Sequence, residues 1–568
     1  MFEDPERVIL AEKTGEIEEF LESTDKQVNE GAWAVGFLAY EAGYSLLGIK
    51  EPFPDLPFPA GAFGIFKKAE NVEFPLSNRI KHRENVRFLK SSVDLAGYAK
   101  QFGIIKNEIL KGNTYQVNFT YNSYYDFEDD AEVFLDLVLA QPTRYCAFCD
   151  LAGYRALSFS PELFFSVEHG TIHTEPMKGT APRGRCEEED KKLKRTLTED
   201  EKSRAENIMI TDLIRNDLGR ICRPGSIKVK SLFKIRTLPT VHQMTTGISG
   251  ELEEDTGIKD VFKALFPCGS VTGAPKRKTM EIIANTENEP RGIYCGALGY
   301  IAPQHEKALF SVPIRTFEGH RNHRIRKLGT GGGIVWGSKL STEWEETRNK
   351  RAFAEKKPFS GNLVETLLLQ NGRFRYLNEH LRRMRYSAGL LNFPFDKQMI
   401  GKAMEDIAER QKEGTYKVRL LLDPAGKPEV KVSEYPSGRN RKVVFSFRKC
   451  AKDEFFLFHK TDHRPWYAQA PEFLRENGFF EVIYVNNDYT VSEGSYTNVF
   501  VQFEDKLLTP PLDSGVLPGI LRKKLLEEGK CEEREITFEM MKSARKVFCG
   551  NSVRGLIEVE PVYEIADI

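Results

Sequence analysis

The chain has 568 residues, 40% hydrophobic and 29% charged, with 82 basic against 83 acidic side chains and a net charge of −1. At about 100–200 residues per domain, this length predicts several domains, or one large domain with a smaller one, and the apolar content supports packed cores rather than disorder. The balanced charge excludes nucleic acid or an anionic membrane as a default partner, and still allows a small anion held by local cations and backbone amides.

The opening run MFEDPERVILAEKTGEIEEF carries early acids and no apolar stretch, which does not read as a secretory signal. No run of about 18 apolar residues predicts a membrane span. Cys146 and Cys149 form a Cys-x-x-Cys in RYCAFCDLAGY, but no second pair follows at zinc spacing. The alternation there reads as a strand with core thiols, and a reduced, cytoplasmic protein is expected. Further along, EPMKGTAPRG reads as a loop bounded by Pro and Gly, and its Lys178 would by itself be a solvated lysine. KSRAENIMITDLIRNDLGR predicts a helix with Glu206 near its start and Ile208, Ile210, Leu213 and Ile214 on a buried face. The glycine-rich stretches CGSVTGAPK (268–276) and GTGGGIVWGS (329–338) read as tight turns or as loops offering N–H groups to an anion. Arg315 in VPIRTF suits either a bidentate carboxylate contact or a buried ion pair.

Residues 343–355, EWEETRNKRAFAE, predict a helix with Glu343 and Glu346 on one face and Lys350 a turn beyond. Carboxylates from two helices suit Mg²⁺, which prefers hard oxygen ligands; a Glu346–Lys350 surface pair is the plainer alternative. A polar Pro/Gly stretch follows, and LVETLLLQNGRF then reads as strand, Asn-Gly turn, strand. The boundary is placed near residue 357, giving a strand-rich part over 1–356 and an α+β part over 357–568.

Ten ordered motifs carry a resemblance over the first part: YEAGY, GNTYQVNFT, SPELFF, PMKGTAPRG, AENIMITDLIRNDLGR, FPCGSVTGAPK, RGIYCGALGY, RTF, GTGGGIVWGS and EWEETRNK. This part resembles the chorismate-utilising enzymes, which implies one large α+β domain with two stacked sheets. The resemblance implies that Glu206 and Glu346, with Glu343 beside them, bind Mg²⁺. It places Tyr294, Arg315, Gly332, Gly333, Lys350, Gly179 and Thr180 around the carboxylates of chorismate. Isochorismate and salicylate synthases carry a lysine base where this chain has Gln116, which points to ammonia as the nucleophile. Lys178 stands where anthranilate synthases have alanine. The resemblance implies that it attacks C2 of chorismate, expels the C4 hydroxyl and is displaced when ammonia enters at C4. VHQMTT puts Gln243, with His242 one earlier, where anthranilate synthases place a histidine, which leaves the role of His242 open. No Gly-x-Cys-x-Gly elbow with a downstream His-x-Glu is visible, so a separate glutamine amidotransferase subunit is expected to supply ammonia.

The second part resembles class IV pyridoxal-phosphate enzymes through its opening LVETLLLQNGRFRYLNEHLRRMRYSAGLLNF, FHKTDHRPWY, VSEGSYTNVFV, GVLPGILR and VFCGNSVRGLIEV. That group includes aminodeoxychorismate lyases and branched-chain and D-amino-acid aminotransferases. The resemblance implies that Lys460 forms the imine with pyridoxal phosphate and that Glu493 pairs with the pyridine nitrogen. Arg383, Gly519, Ile520, Asn551 and Ser552 would hold the phosphate. Residue chemistry adds that an imine-forming lysine must be neutral, which suits a partly buried strand position in FLFHK. Class IV enzymes commonly dimerise, so dimerisation through the second part is implied. The joined resemblances imply synthesis of 4-aminobenzoate, a folate precursor, by an aminodeoxychorismate synthase followed by a lyase. The alternatives are an anthranilate synthase joined to an aminotransferase, and a non-catalytic scaffold for the glutaminase.

Overall fold

The computed structural model describes residues 1–72, 86–355, 359–435 and 440–568; the expected boundary at 357 lies outside the described residues. The chain forms two compact units, Met1–Arg183 with Leu193–Pro358, and Gly184–Lys192 with Phe359–Ile568.

Among the described residues, the first unit is an α+β body built on a ten-stranded and a seven-stranded antiparallel sheet. One apolar core draws on both: Ala34, Leu38 and Phe63 from the larger sheet meet Val117, Phe119 and Ile334 from the smaller. The spine of the smaller sheet is the Gln116–Phe127 strand, paired along its length with Ile325–Val335. The glycine run therefore forms a strand, not the turn or loop expected from its composition. The reason is steric: a Cβ at Gly331 would lie 2.4 Å from the Phe119 carbonyl, and one at Gly329 would lie 2.1 Å from the Tyr294 ring. Lys178 likewise sits on a strand, Met177–Pro182, whose pairing with Val241–Glu251 is interrupted by a bulge between Met177 and Thr180. Gly179 takes φ +87° in that bulge, a conformation suited to glycine.

The Glu201–Leu218 helix starts at an Asp200 cap that accepts from the Ser203 N–H. Ile210 and Ile214 are buried as expected, but Ile208 is 46% exposed and does not belong to the apolar face. The Leu340–Arg351 helix carries Glu343, Glu346 and Lys350. Cys146 and Cys149 lie on the Tyr145–Leu151 strand as partly buried free thiols, and burial pushes the Cys149 thiol up to about 12.

In the second unit, the helices Leu377–Leu391 and Lys397–Arg410 bury Met384, Ala388, Ile400 and Met404 against Leu363, Leu367, Val418 and Leu420 of a four-stranded antiparallel sheet. An eight-stranded mixed sheet completes the α+β body. Residues Gly184–Lys192 pack within this unit: the Tyr386 hydroxyl donates to the Gly184 carbonyl at 2.6 Å, and Arg185 pairs with Asp513 at 2.6 Å.

Candidate functional sites

In the first unit, Lys178 is partly buried and donates to the Ser270 carbonyl at 3.1 Å. Burial lowers the proton affinity of its amine, opposed by the charges of Glu206 and Glu162. Glu162, fully enclosed, accepts the Ser270 hydroxyl at 2.6 Å; burial raises its proton affinity despite that bond and the Lys178 charge. A buried acid and an amine made less basic by burial therefore share Ser270. Glu162 was not singled out from sequence, since a glutamate within SPELFF looks like any polar residue between strands.

Gln116 is 1% exposed, and neither its Nε2 nor its Oε1 has a hydrogen-bond partner. A Cβ on Gly333 would stand 2.8 Å from Gln116 Nε2 and 3.6 Å from Lys178 Nζ, so these three residues converge. A Cβ on Gly332 would be 3.5 Å from Glu343 Oε2. The Ile325–Val335 strand pairs with Thr316–His320 only at Leu328 and Lys327, which leaves the Gly329–Gly333 backbone without a strand partner on that side among the described residues. Lys350 reaches this open edge and donates to the Gly331 carbonyl at 3.0 Å. It also pairs with Glu346 at 2.7 Å, the ordinary i,i+4 pair.

Burial raises Glu343, and repulsion by Glu346 adds to that rise although Ser338 donates to it. Burial opposes ionisation of Glu346 too, but Lys350 holds it below the usual range. Glu206 faces Lys202 at 3.9 Å. No three His, Cys, Asp or Glu side chains among the described residues converge closely enough to hold a metal by themselves. Two crowded carboxylates on one helix face, one of them resisting ionisation, fit a divalent cation whose remaining ligands come from substrate and water.

Arg315 has φ +52°, its Nη1 is buried without a partner, and burial pushes its guanidinium down to about 10. Such a guanidinium lacks an anion. Tyr294 is buried against Gly329, whereas Thr180 is exposed. His242 is 0% exposed, with its Nδ1 3.2 Å from the Thr237 hydroxyl, a core position.

In the second unit, Lys460, Arg383, Glu493, Gly519, Ile520, Asn551 and Ser552 line one cavity of about 280 Å³. Lys460 follows the short helical turn Phe455–Leu457 and is not on the expected strand, because the chain must bend there to bring it under the Leu363 edge through the Thr461 bridge. Burial, then Arg383 and Arg464, push its amine down to about 7. Glu493 accepts from Arg464 at 2.7 Å, the Tyr467 hydroxyl at 3.2 Å and the Leu517 N–H at 2.8 Å.

Arg383 donates through Nε and Nη2 to Glu365 at 2.9 and 2.6 Å and through Nη1 to the Pro518 carbonyl at 3.1 Å, leaving N–H groups on both terminal nitrogens for a ligand. Burial opposes ionisation of Glu365, but Arg383 and His380 hold it down at about 2. Gly519 caps the Ile520–Glu527 helix with no side chain on its first-turn amides, and a Cβ there would strike Asn498 Oδ1 at 1.9 Å. Asn551 lines the cavity, its Oδ1 accepting the Val553 and Arg554 N–H groups and its Nδ2 donating to the Tyr496 carbonyl at 3.3 Å. Ser552 donates only a long bond to the Thr366 carbonyl, 3.4 Å. Lys417, Arg419 and Arg554 also line the cavity. This basic cavity, with a neutralisable lysine, an acid clamped by cations and an uncapped helix start, fits pyridoxal phosphate and an anionic substrate.

Comparison with known proteins matches each of the two parts of the chain to a family. The family described as chorismate binding enzyme matches residues 3–356, and amino-transferase class IV matches residues 362–562. An aminodeoxychorismate synthase of Streptomyces griseus is 40% identical over 261 residues, 46% of this chain and 36% of that protein. An anthranilate synthase component 1 of Aquifex aeolicus is 39% identical over 246 residues, 43% of this chain and 49% of that protein. The chain thus spans half or less of these curated relatives' length. The crystal structure of anthranilate synthase component I from Streptococcus pneumoniae shares the fold of the first unit, with TM-score 0.54 and 24% identity over 62% of this chain and 91% of that one. The match over 3–356 spans more than half of the 568 residues, and the chain belongs to the chorismate binding enzyme family, with a class IV amino-transferase region following.

Proposed function

We propose that this chain makes 4-aminobenzoate from chorismate: ammonia replaces the C4 hydroxyl at the first site, and the second site eliminates pyruvate from the resulting 4-amino-4-deoxychorismate. The observation that carries the first step is the Lys178 amine, made less basic by burial, beside the buried acid Glu162. Relatives' names include both an aminodeoxychorismate and an anthranilate synthase, so the residues must decide between them.

Neutral Lys178 attacks C2, both conjugated ring double bonds shift toward C4, and the C4 hydroxyl leaves as water with a proton from Glu162, the lysine nitrogen carrying the positive charge until it departs. Ammonia then bonds to C4, the double bonds shift back, and the Lys178 amine leaves from C2. The Glu162 carboxylate takes a proton from the new ammonium. Gln116 has both an unused donor and an unused acceptor to orient ammonia. Glu206, Glu343 and Glu346 would hold Mg²⁺, which supplies charge neutralisation at the ring carboxylate. Arg315, Lys350, Tyr294, the open Gly332–Gly333 edge and the Gly179–Thr180 bulge serve the substrate's carboxylates. Arg315→Leu is expected to raise the chorismate KM by about 10–100-fold with a smaller change in kcat, read from steady-state kinetics.

The class IV match implies pyridoxal phosphate, which when bound supplies an electron sink. Lys460 would anchor it and, as a neutral amine, would remove the C4 proton of the substrate. Glu493 holds the ring nitrogen, while Arg383, Ser552 and the Ile520 helix start hold the phosphate. Lys417, Arg419 and Arg554 suit a dianionic substrate. Because the Lys460 amine must be neutral to react and sits at about 7, the rate of cofactor capture should rise with pH through 7 and level off above it. Stopped-flow absorbance checks this; a rate flat from pH 6 to 8 would count against it.

A glutamine amidotransferase subunit would supply ammonia, in the cytoplasm, with dimerisation through residues 357–568. No helix among the described residues is long and apolar enough to cross a membrane. Intact-protein mass spectrometry after incubation with chorismate and Mg²⁺, without ammonium, tests the first step. The expected result is an adduct of chorismate less water on Lys178; an adduct at another residue would remove the nucleophilic role assigned to Lys178.

A further inference from the structure

A second buried carboxylate in the lyase unit has no part in the chemistry above. Glu481 starts the Glu481–Val485 strand and is 0% exposed. Its Oε1 accepts the Val482 and Ser495 N–H groups at 3.0 Å each and the Ser495 hydroxyl at 2.6 Å. Its Oε2 accepts the Tyr496 N–H at 3.2 Å and the Thr497 hydroxyl at 2.8 Å. All five donors are neutral. Burial without a counter-cation pushes this acid up to about 7, against five donors that favour its ionised, acceptor-only form. Electrostatic stability therefore does not account for it; geometry does.

Four of the donors belong to the turn Gly494–Thr497. Gly494 lies so close that a Cβ would meet Glu481 Oε2 at 2.5 Å, and its N–H closes the turn onto the Thr497 carbonyl at 2.8 Å. Immediately before the turn stands Glu493. Immediately after it stands Asn498, which donates to the Leu517 carbonyl at 3.0 Å and lies against Gly519 at the helix start. Tyr496 and Thr497 line the cavity itself. One carboxylate thus gathers a turn whose two ends carry the ring-nitrogen acid and the support of the phosphate cup.

We propose that Glu481 is a positioning residue of this cavity: its carboxylate gathers the Gly494–Thr497 turn and thereby sets where Glu493 and Asn498 stand against the cofactor. This rests on the pyridoxal-phosphate reading of the site. Glu481→Gln keeps the shape but turns an NH₂ group toward donors that need an acceptor. The turn must open, and both ends move.

The test is titration of cofactor-stripped full-length protein with pyridoxal phosphate, followed by visible absorbance. Glu481→Gln should raise the Kd by about tenfold or more. It should also displace the absorbance maximum of the bound cofactor, because the acid at the ring nitrogen has moved; a residue that only stabilises the fold would leave that maximum in place. A Kd within about twofold of wild type with an unchanged spectrum would overturn the inference alone. Wild-type protein that takes up no pyridoxal phosphate would overturn the cofactor reading and the inference together. Should Glu481→Gln fail to fold, Ser495→Ala removes one donor outside the cavity lining. It should weaken binding about threefold with a smaller spectral displacement, and unchanged binding would overturn the proposal.

Discussion

Lys460→Ala is expected to slow 4-aminobenzoate release by about 10²–10⁴-fold or more, while chorismate continues to be consumed. The amine intermediate should accumulate in chromatograms, and the visible band of covalently anchored cofactor should be lost. The size of the effect follows from two duties in one amine: it anchors the cofactor and it moves the C4 proton. Its proton affinity, brought to about 7 by burial and by Arg383 and Arg464, is what lets it act as a base near neutrality. Undiminished 4-aminobenzoate release by the variant would refute the assignment. Loss of chorismate consumption as well would mean that the substitution reached beyond the lyase step.

Lys178→Ala should have the complementary effect. Formation of the amino intermediate should fall by about 10²–10⁴-fold, while chorismate affinity, measured by calorimetry, stays within a few-fold. Binding is assigned to Arg315, the backbone of the open glycine edge and the carboxylate pair, groups that the substitution leaves in place although Lys178 lies close to Gly333. The Ser270 carbonyl loses a donor and Glu162 loses a nearby positive charge, so the buried acid should become harder to ionise still. Unchanged turnover would sink the covalent role and leave direct attack of ammonia at C4.

The sequence was informative where a motif fixes chemistry locally and less so where tertiary packing decides. Glu493, Gly519 and Ser552 came from the resemblance of SEGSYTN, GVLPGILR and VFCGNSVRGLIEV to class IV motifs, and all three line the one cavity. The glycine run 329–333 was harder. Its composition suggests a turn, yet the close approach of Tyr294 and Phe119 makes it a strand. Lys178 looked like a loop residue because a two-residue bulge beside Pro and Gly has the composition of a loop. Glu162 had no local signal at all: its character comes from burial beside Ser270 and Lys178, residues distant in the chain. Residues 184–192 carry four consecutive acids followed by two lysines, a composition of solvated surface, and their packing in the second unit depends on Asp513 and Tyr386, some 200 to 330 residues on.

The position of amination and the fate of the side chain are read together by product chromatography after mixing the purified chain with chorismate, Mg²⁺, ammonium and pyridoxal phosphate. The account predicts 4-aminobenzoate with an equimolar amount of pyruvate. Anthranilate in its place would contradict it, since amination would then have occurred at C2 and neither Lys178 nor the second site would have the role assigned here.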